Sequence, residues 1–384
     1  MSLKKFSLPI ILLTVLLDII GFGIIIPSLP SIIRGFGLGE NWVGFVFATF
    51  SIGMFFWGII FGRLSDLYGR KQILAVTSFL NMLWYLVFAF SGNIWVFMLG
   101  RFLSGLGGAW MAIGQAYVAD ISTAENRTKN LGLTGAMFWI GFTIGPVLGG
   151  FFGNGSHLIL WLISWMVILF NLLIILFFLP KIEKKHLEVK EESVLPFDFR
   201  HHKKQIYLLF ATAFILSLGF SAMQTTFALL LTDRFAFNEK MIGYCLGFIG
   251  IISMIYQGFL IKHIRKVLDE KGMIIFWLAS LAISFMLFAV NPFYYGVFAI
   301  IAFFPFGQGS INPAVGSLHA HYAWKEVGKA LWTNASMMSL GSITGPFIAG
   351  YLYVIWNGAP YIGAGACFLI AIVLVLLWLK KVVR

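Results

Sequence analysis

Asp18 stands in the run LTVLLDIIGFGIII, about ten residues into an apolar stretch that begins near residue 8, or about 15 Å along a helix rising 1.5 Å per residue. Of the 15 acidic residues in this chain of 384, it alone lies clearly within such a run. If the run crosses a bilayer, the carboxyl sits near mid-membrane, where an ionisable group is costly and marks a functional site by default. Desolvation there favours the neutral form and a nearby cation favours the anion, so the chemistry on offer is loading and release of a proton. A carboxylate permanently paired or hydrogen-bonded within a helix bundle is the alternative reading. Arg101 is the matching cation, about seven residues into a later apolar run. An unpaired arginine at that depth is expensive, so pairing with Asp18 or a polar cavity is expected. Arg101, Gly105, Gly108, Ala112 and Gln115 recur at helical spacing. That spacing puts Arg101 and Gln115 on nearly one face, which either lines a cavity or receives a close helix neighbour.

The second half has no acid within an apolar run. Its polar content there is neutral: Gln224, Thr225 and Thr226, Gln257, Gln308 and Asn312 one turn apart, and Asn334. Gln115, Gln224, Gln257, Gln308 and Asn312 are the candidate substrate contacts, against the commoner role of such residues as interhelical hydrogen bonds. Two further elements suggest movement. In GRLSDLYGRK, Gly62 and Gly69 suit a tight turn with close approach, and Asp66 with Arg70 offers a breakable charge latch. Gly145-Pro146 and Gly345-Pro346 remove a backbone hydrogen bond and favour a kink, suited to helices that rock or seal against one another.

The elements that must position these residues follow from composition. Sixty per cent of the residues are hydrophobic and 11% charged, against about 25% charged in soluble domains. The chain is therefore expected in a membrane. No Ser/His/Asp, metal-ligand or nucleotide-binding constellation is visible, so neither an enzyme nor a metal or other cofactor is expected. Cys245 and Cys367 read as small core residues. Twelve apolar stretches of spanning length are delimited by Gly, Pro, Asn or charged breaks. They run at about 8–33, 41–62, 72–91, 94–119, 131–153, 157–179, 206–231, 240–262, 272–290, 292–318, 328–353 and 358–379. The polar interval near the middle divides the chain into an N-terminal six-helix bundle (1–180), a linker (181–204) and a C-terminal six-helix bundle (205–384).

The net charge of +12 raises the question of nucleic acid, and its distribution answers no. Of 27 Lys and Arg, 23 fall in the tails and alternate loops on the side of the termini, while only Arg34, Arg234 and Lys240 lie on the other. Positive charge retained inside places both termini and the linker in the cytoplasm. MFWIGFTIGPVLGG at 137–150 and MMSLGSITGPFIAG at 337–350 repeat at an offset of 200, as do Gly58 and Gly258, Gly107 and Gly307, and Arg34 and Arg234. Duplication of a six-helix unit explains this, and transporter folds are built from such repeats with substrate bound between them.

Four stretches carry a resemblance that spans essentially the whole chain: LLDIIGFGIIIPSLP at 16–30, GRLSDLYGRK at 62–71, GRFLSGLGGAWMAIGQAYVAD at 100–120 and GFTIGPVLGG at 141–150. The chain resembles the major facilitator superfamily, and within it the twelve-span drug/proton antiporters that include bacterial tetracycline exporters. The resemblance implies an all-α polytopic protein of two pseudo-symmetric six-helix bundles, in a bacterial inner (plasma) membrane. It also implies export of an amphipathic small molecule by alternating access, coupled to protons; two complete bundles suffice for a working monomer, which is the expected state. Asp18 and Arg101 then match the proton-coupling residues. Gly62, Asp66, Gly69, Arg70 and Lys71 match the cytoplasmic latch, with Asp120 as an acid able to receive Arg70. Gly141, Gly145, Pro146, Gly149 and Gly150 match the antiporter helix motif. Tetracycline antiporters carry an acid in the third span and another in the ninth. Here those stretches read NMLWYLVFAF and WLASLAISF, which counts against a metal-chelated tetracycline. The second copy of the turn, KHIRKVLDEK, has lost its glycines, so the latch is expected on one side alone. An importer or uniporter of the same superfamily is the competing expectation, and transport insensitive to uncouplers would identify it.

Overall fold

The computed structural model describes residues 6–123, 125–153, 157–182, 203–305 and 327–378. Among them all regular structure is helical. Lipid offers no hydrogen bonds to a backbone, so a spanning segment satisfies its own N–H and C=O groups as a helix. Among the described residues, ten helices are long and apolar enough to cross a membrane. The expected eighth span is present as α10 (Glu239–Ile255), a π turn (Tyr256–Leu260) and α11 (Ile261–Val267), so its α-helix is interrupted. The expected tenth begins at α13 (Gly296–Ile301) and runs on into residues outside those described.

Two compact units emerge. The first comprises Met1–Ile182 with Thr225–Met254. In it α1 (Ser7–Ile25) continues through a 3-10 turn (Ile26–Ser28) into α2 (Leu29–Gly35). There follow α3 (Asn41–Tyr68), α4 (Arg70–Ala89), α5 (Ile94–Ser104), α6 (Leu106–Ile121), α7 (Arg127–Gly153), α8 (His157–Phe177), the end of α9 (Lys203–Phe235) and most of α10. Its core gathers Ile11, Val15, Leu74, Trp110 and Tyr117 between α1, α4 and α6.

Helices α1 and α7 meet backbone to backbone. A Cβ at Gly145 would lie 2.8 Å from the Ile20 carbonyl oxygen and 2.9 Å from Gly23 Cα, one at Gly141 3.0 Å from the Leu16 carbonyl oxygen, and one at Gly149 would overlap the Ile24 carbonyl. Only glycine fits such a seam, and small residues are what let membrane helices approach this closely. The opposite edge of α7 seals against α10, where Gly150 faces Gly243 and the Pro146 carbonyl also meets Gly243. Pro146 sits inside a helix assigned without a break from Arg127 to Gly153, so the expected kink does not interrupt it.

The second unit comprises Glu183–Gln224 with Ile255–Arg384. It holds the start of α9, the π turn, α11, α12 (Glu270–Val290), α13, α14 (Val327–Ile355) and α15 (Ala359–Trp378). Here Gly341 and Gly345 of α14 press on Ser217, Leu218 and Ser221 of α9, and Ser217 lies 2.7 Å from Ser342. The offset of 200 therefore extends to contacts. Lys71 donates to the Leu176 carbonyl at 2.9 Å and Lys271 to the Leu376 carbonyl at 3.2 Å. Tyr85 and Phe88 pack on Trp161 as Phe285 and Phe288 pack on Tyr361.

Candidate functional site

Asp18 lies on α1 and is 6% exposed. Asn171 of α8 donates its amide to Asp18 Oδ2 at 2.8 Å, and Asn81 of α4 lies close enough to add a polar interaction with the same carboxyl. Both asparagines are buried, as a buried carboxyl requires, since a polar group without partners inside an apolar core is strongly destabilising. Three helices thus converge on one carboxyl, and α1 is held there by the glycine seam with α7. The Asn171 Oδ1 atom is itself buried without a partner among the described residues.

Arg101 is 3% exposed, in the last turn of α5. Its guanidinium carbon stands 5.5 Å from the centre of the Phe50 ring and 6.0 Å from that of Phe47, and Nε has no acceptor among the described residues. No ion pair joins it to Asp18 among the described residues; of the two settings expected, pairing with Asp18 or a polar cavity, the first is not formed, and the guanidinium lies against aromatic faces at a helix C-terminus, both favourable to a cation. Tyr85, 5% exposed, lies within electrostatic reach of both Asp18 and Arg101. The expected fourth span divides at Gly105, where a Cβ would lie 2.7 Å from Gly53 Cα of α3. Trp57 of α3 donates its indole N–H to the Phe102 carbonyl at 3.0 Å, satisfying an oxygen of that last turn. Of the two readings of the glycine face, Gly105 and Gly108 thus receive a close neighbour, and Gln115 is exposed.

The repeat shows how one-sided this cluster is. At an offset of 200, Asp18, Asn81, Tyr85, Arg101 and Asn171 become Leu218, Leu281, Phe285, Ile301 and Ala371. Each polar position of the first copy is apolar in the second, and the last four of these replacements are buried. Asn81, Tyr85 and Asn171 were not singled out by the sequence reading. The signal that finds them is this comparison of copies, because the polar exceptions to the repeat gather in one place.

At the α3–α4 junction Arg70 is shared by three oxygens. Nη2 lies 2.6 Å from Asp66 Oδ1, Nε 3.1 Å from Asp120 Oδ2, and Nη1 donates to Ser65 Oγ at 2.6 Å. Gly69 is the turn: its φ of +100° lies where a side chain is strained. Gly62 instead sits in the regular helix α3 with open space around its Cβ direction, so close approach is not its role. Lys71 points away, to the Leu176 carbonyl. In the second copy Asp269 stands where Gly69 does and caps α12 by accepting from Gly272 N at 2.7 Å. Arg70 becomes Glu270 and Asp66 becomes Lys266. Of the remaining candidates, Gln224 and Gln257 are half-buried, Gln257 Nε2 has no acceptor among the described residues, and Gln308 and Asn312 lie outside those described.

A duplicated set of helices of membrane-spanning length, the first copy holding a buried carboxyl with an amide partner, is the kind of architecture on which transporters are built. Residues 11–323 match the family model of the Major Facilitator Superfamily, and the chain belongs to that family. It is similar to multidrug resistance protein 2 of Bacillus subtilis (strain 168), at 27% identity over 97% of this chain and 95% of that one. It is also similar to the class H tetracycline resistance protein of Pasteurella multocida, at 30% identity over 92% and 91% of the two chains. The crystal structure of the human organic anion transporter TETRAN shares the fold, with a TM-score of 0.74 at 20% identity over 98% of this chain and 100% of that one.

Proposed function

We propose that this protein is a proton-coupled exporter of amphipathic small molecules, acting as a monomer in the bacterial inner membrane with both termini cytoplasmic. The observation that carries the reading is the environment of Asp18: a buried carboxyl bonded by the Asn171 amide with the Asn81 amide beside it, and no fixed counter-ion among the described residues. A carboxamide both donates and accepts. Its NH2 serves the carboxylate, and after rotation its oxygen serves the protonated acid, so asparagines satisfy both states that a transport cycle must visit. A permanent arginine pair would favour the anion alone. The unpartnered Asn171 Oδ1 is the acceptor this exchange requires. Arg101, over Phe47 and Phe50, is a cation whose field favours release of the proton, and Tyr85 lies within electrostatic reach of both charges. The names of the relatives, multidrug and tetracycline resistance proteins, support the substrate class. The lack of an acid in the third and ninth spans counts against a metal-chelated tetracycline.

The test is proton flux in proteoliposomes under an imposed pH gradient, on addition of cationic, zwitterionic or anionic amphiphiles. Substrate-dependent proton movement is expected with one charge class, and gradient-independent equilibration of every compound would overturn the reading. Asn171→Leu removes the hydrogen bond to Asp18. A hydrogen bond to a charged group is worth about 1.5–3 kcal/mol, so proton-coupled flux is expected to fall about tenfold or more and its pH profile to be displaced. An unchanged profile would assign Asn171 to packing only.

The Arg70 cluster is the cytoplasmic latch in this scheme. Its carboxylates are well exposed, with Asp66 at 61% and Asp120 at 40%, and pairs of this kind contribute about 0–1 kcal/mol. Arg70→Lys loses the fork that spans Asp66, Ser65 and Asp120. A stability loss below about 1 kcal/mol and a transport rate reduced up to about fivefold are expected, measured by thermal unfolding and efflux in parallel. A large loss of stability with normal turnover of the folded fraction would make the cluster a structural clamp.

A further inference from the structure

A second cluster of ionisable groups lies at the other end of the first unit, beside a cavity of about 490 Å3 lined by Pro30, Arg34, Gly153, Thr232 and Phe237. Glu239, the first residue of α10, takes hydrogen bonds from Ser28 and Ser31. Ser31 Oγ lies 2.5 Å from Glu239 Oε1 and 3.1 Å from His157 Nε2, and that nitrogen is 3.5 Å from the same carboxylate oxygen. Ser31 Oγ also lies 2.8 Å from the Ser28 carbonyl oxygen, so its one proton is taken up by these two acceptors and the contact with His157 uses the Nε2–H as donor. One carboxylate therefore ties together the end of α1, α2, the start of α8 and the start of α10. Room for it exists because residue 153 is glycine: a Cβ there would overlap Glu239 Oε2 and lie 2.8 Å from Ser28 Oγ.

We infer that His157 and Glu239, with Ser28 and Ser31, form a second proton-responsive site, a clasp that tightens around α2, α8 and α10 when the extracytoplasmic side becomes acidic. The neighbouring charges do not take over this role. Arg34 is held by Asp233 at 2.5 Å and Glu40 at 3.4 Å. Lys240 lies over the rings of Phe151 at 5.5 Å and Tyr244 at 6.0 Å, and Arg234 has partners of its own. Burial works against the Glu239 anion, but the bonds from His157, Ser28 and Ser31 outweigh it and hold the carboxyl below its ordinary range. The sign follows. Glu239 stays anionic as the pH falls, and histidine is the side chain whose charge ordinarily changes near neutral pH, so a proton gained by His157 converts a neutral contact into an ion pair. Only below the lowered carboxyl range is the clasp lost. This rests on the orientation and proton coupling proposed above. Under that reading the acidic face is the one bearing Glu239, so the proton supply that loads Asp18 also favours closure at this end and drives the return half of the cycle.

The test labels Gly35→Cys and Ala236→Cys with spins in a Cys245→Ser, Cys367→Ser background, in lipid nanodiscs, and reads their distance distribution from pH 8.5 to 5.5. Gly35 has open space around its Cβ direction and Ala236 is exposed. The short-distance population is expected to grow about two- to fivefold on acidification, the effect of a partly exposed pair worth up to about 1 kcal/mol. His157→Gln should flatten the response. Glu239→Gln, which keeps hydrogen-bonding capacity, should flatten it too, and Asp18→Asn should leave it intact. A pH-independent distance in the parent protein, or a full response in His157→Gln, overturns the clasp. Loss of the response in Asp18→Asn also overturns it, by assigning the effect to the central carboxyl. None of these readouts needs substrate, so a failed exporter reading shows separately, as absent proton-coupled flux.

Discussion

Asp18→Asn is expected to reduce gradient-driven efflux roughly 100-fold or more, the scale of loss when a positioned proton carrier is removed, while the protein remains folded. The amide keeps the shape of the carboxyl and can still bond to Asn81 and Asn171, so thermal stability should stay within about 1 kcal/mol of the parent. What it cannot do is exchange a proton. The two measurements together separate the two readings of a buried acid. A carboxylate with a purely structural role would move stability and leave the coupling of folded protein intact. Normal proton-coupled flux in Asp18→Asn would sink the proposal, because the second copy carries Leu218 at that position. Asp18→Glu provides the complementary arm. It retains the ionisable group but shifts it by one methylene in a close-packed site, so partial activity is expected.

The largest effect on stability is expected at the α1–α7 seam. Gly149→Ala places a methyl on the Ile24 carbonyl, and neither backbone can yield without separating two helices that pack along their length. Overpacking of this kind costs about 1–3 kcal/mol, and a larger side chain such as leucine at 149 should prevent recovery of folded protein. Gly132, on the same helix, has nothing within 4 Å of its Cβ direction. There Gly132→Ala should stabilise by about 0.5–1 kcal/mol, through the restriction of unfolded backbone. Thermal unfolding of the purified variants decides the matter, and equal shifts at 132 and 149 would refute the seam. Because the seam also fixes α1, Gly149→Ala should weaken proton coupling beyond its effect on the amount of folded protein.

The reach of the sequence follows from where each property resides. Membrane residence, helical spans, the duplication and a charge bias toward the side of the termini are properties of composition and period, and all are legible without coordinates. So was Asp18, because a single charge in an apolar run is conspicuous. Asn81 and Asn171 were not. Each is one neutral residue in its own span, and a span in isolation does not show which neighbour its polar side chain meets. Arg101 illustrates the same limit. Its depth could be counted, but its settlement over Phe47 and Phe50 instead of on Asp18 depends on the break at Gly105 and on α3 packing into it. The antiporter glycines were visible as a motif, whereas their division of labour, Gly141, Gly145 and Gly149 toward α1 and Gly150 toward α10, is set by two helices approaching opposite edges of α7. The clasp at Glu239 was invisible for the strongest reason. Its four residues lie up to 211 positions apart, and only the packing of α2, α8 and α10 brings them together, since hydrogen bonds act over about 3 Å and local sequence carries no record of such distant neighbours.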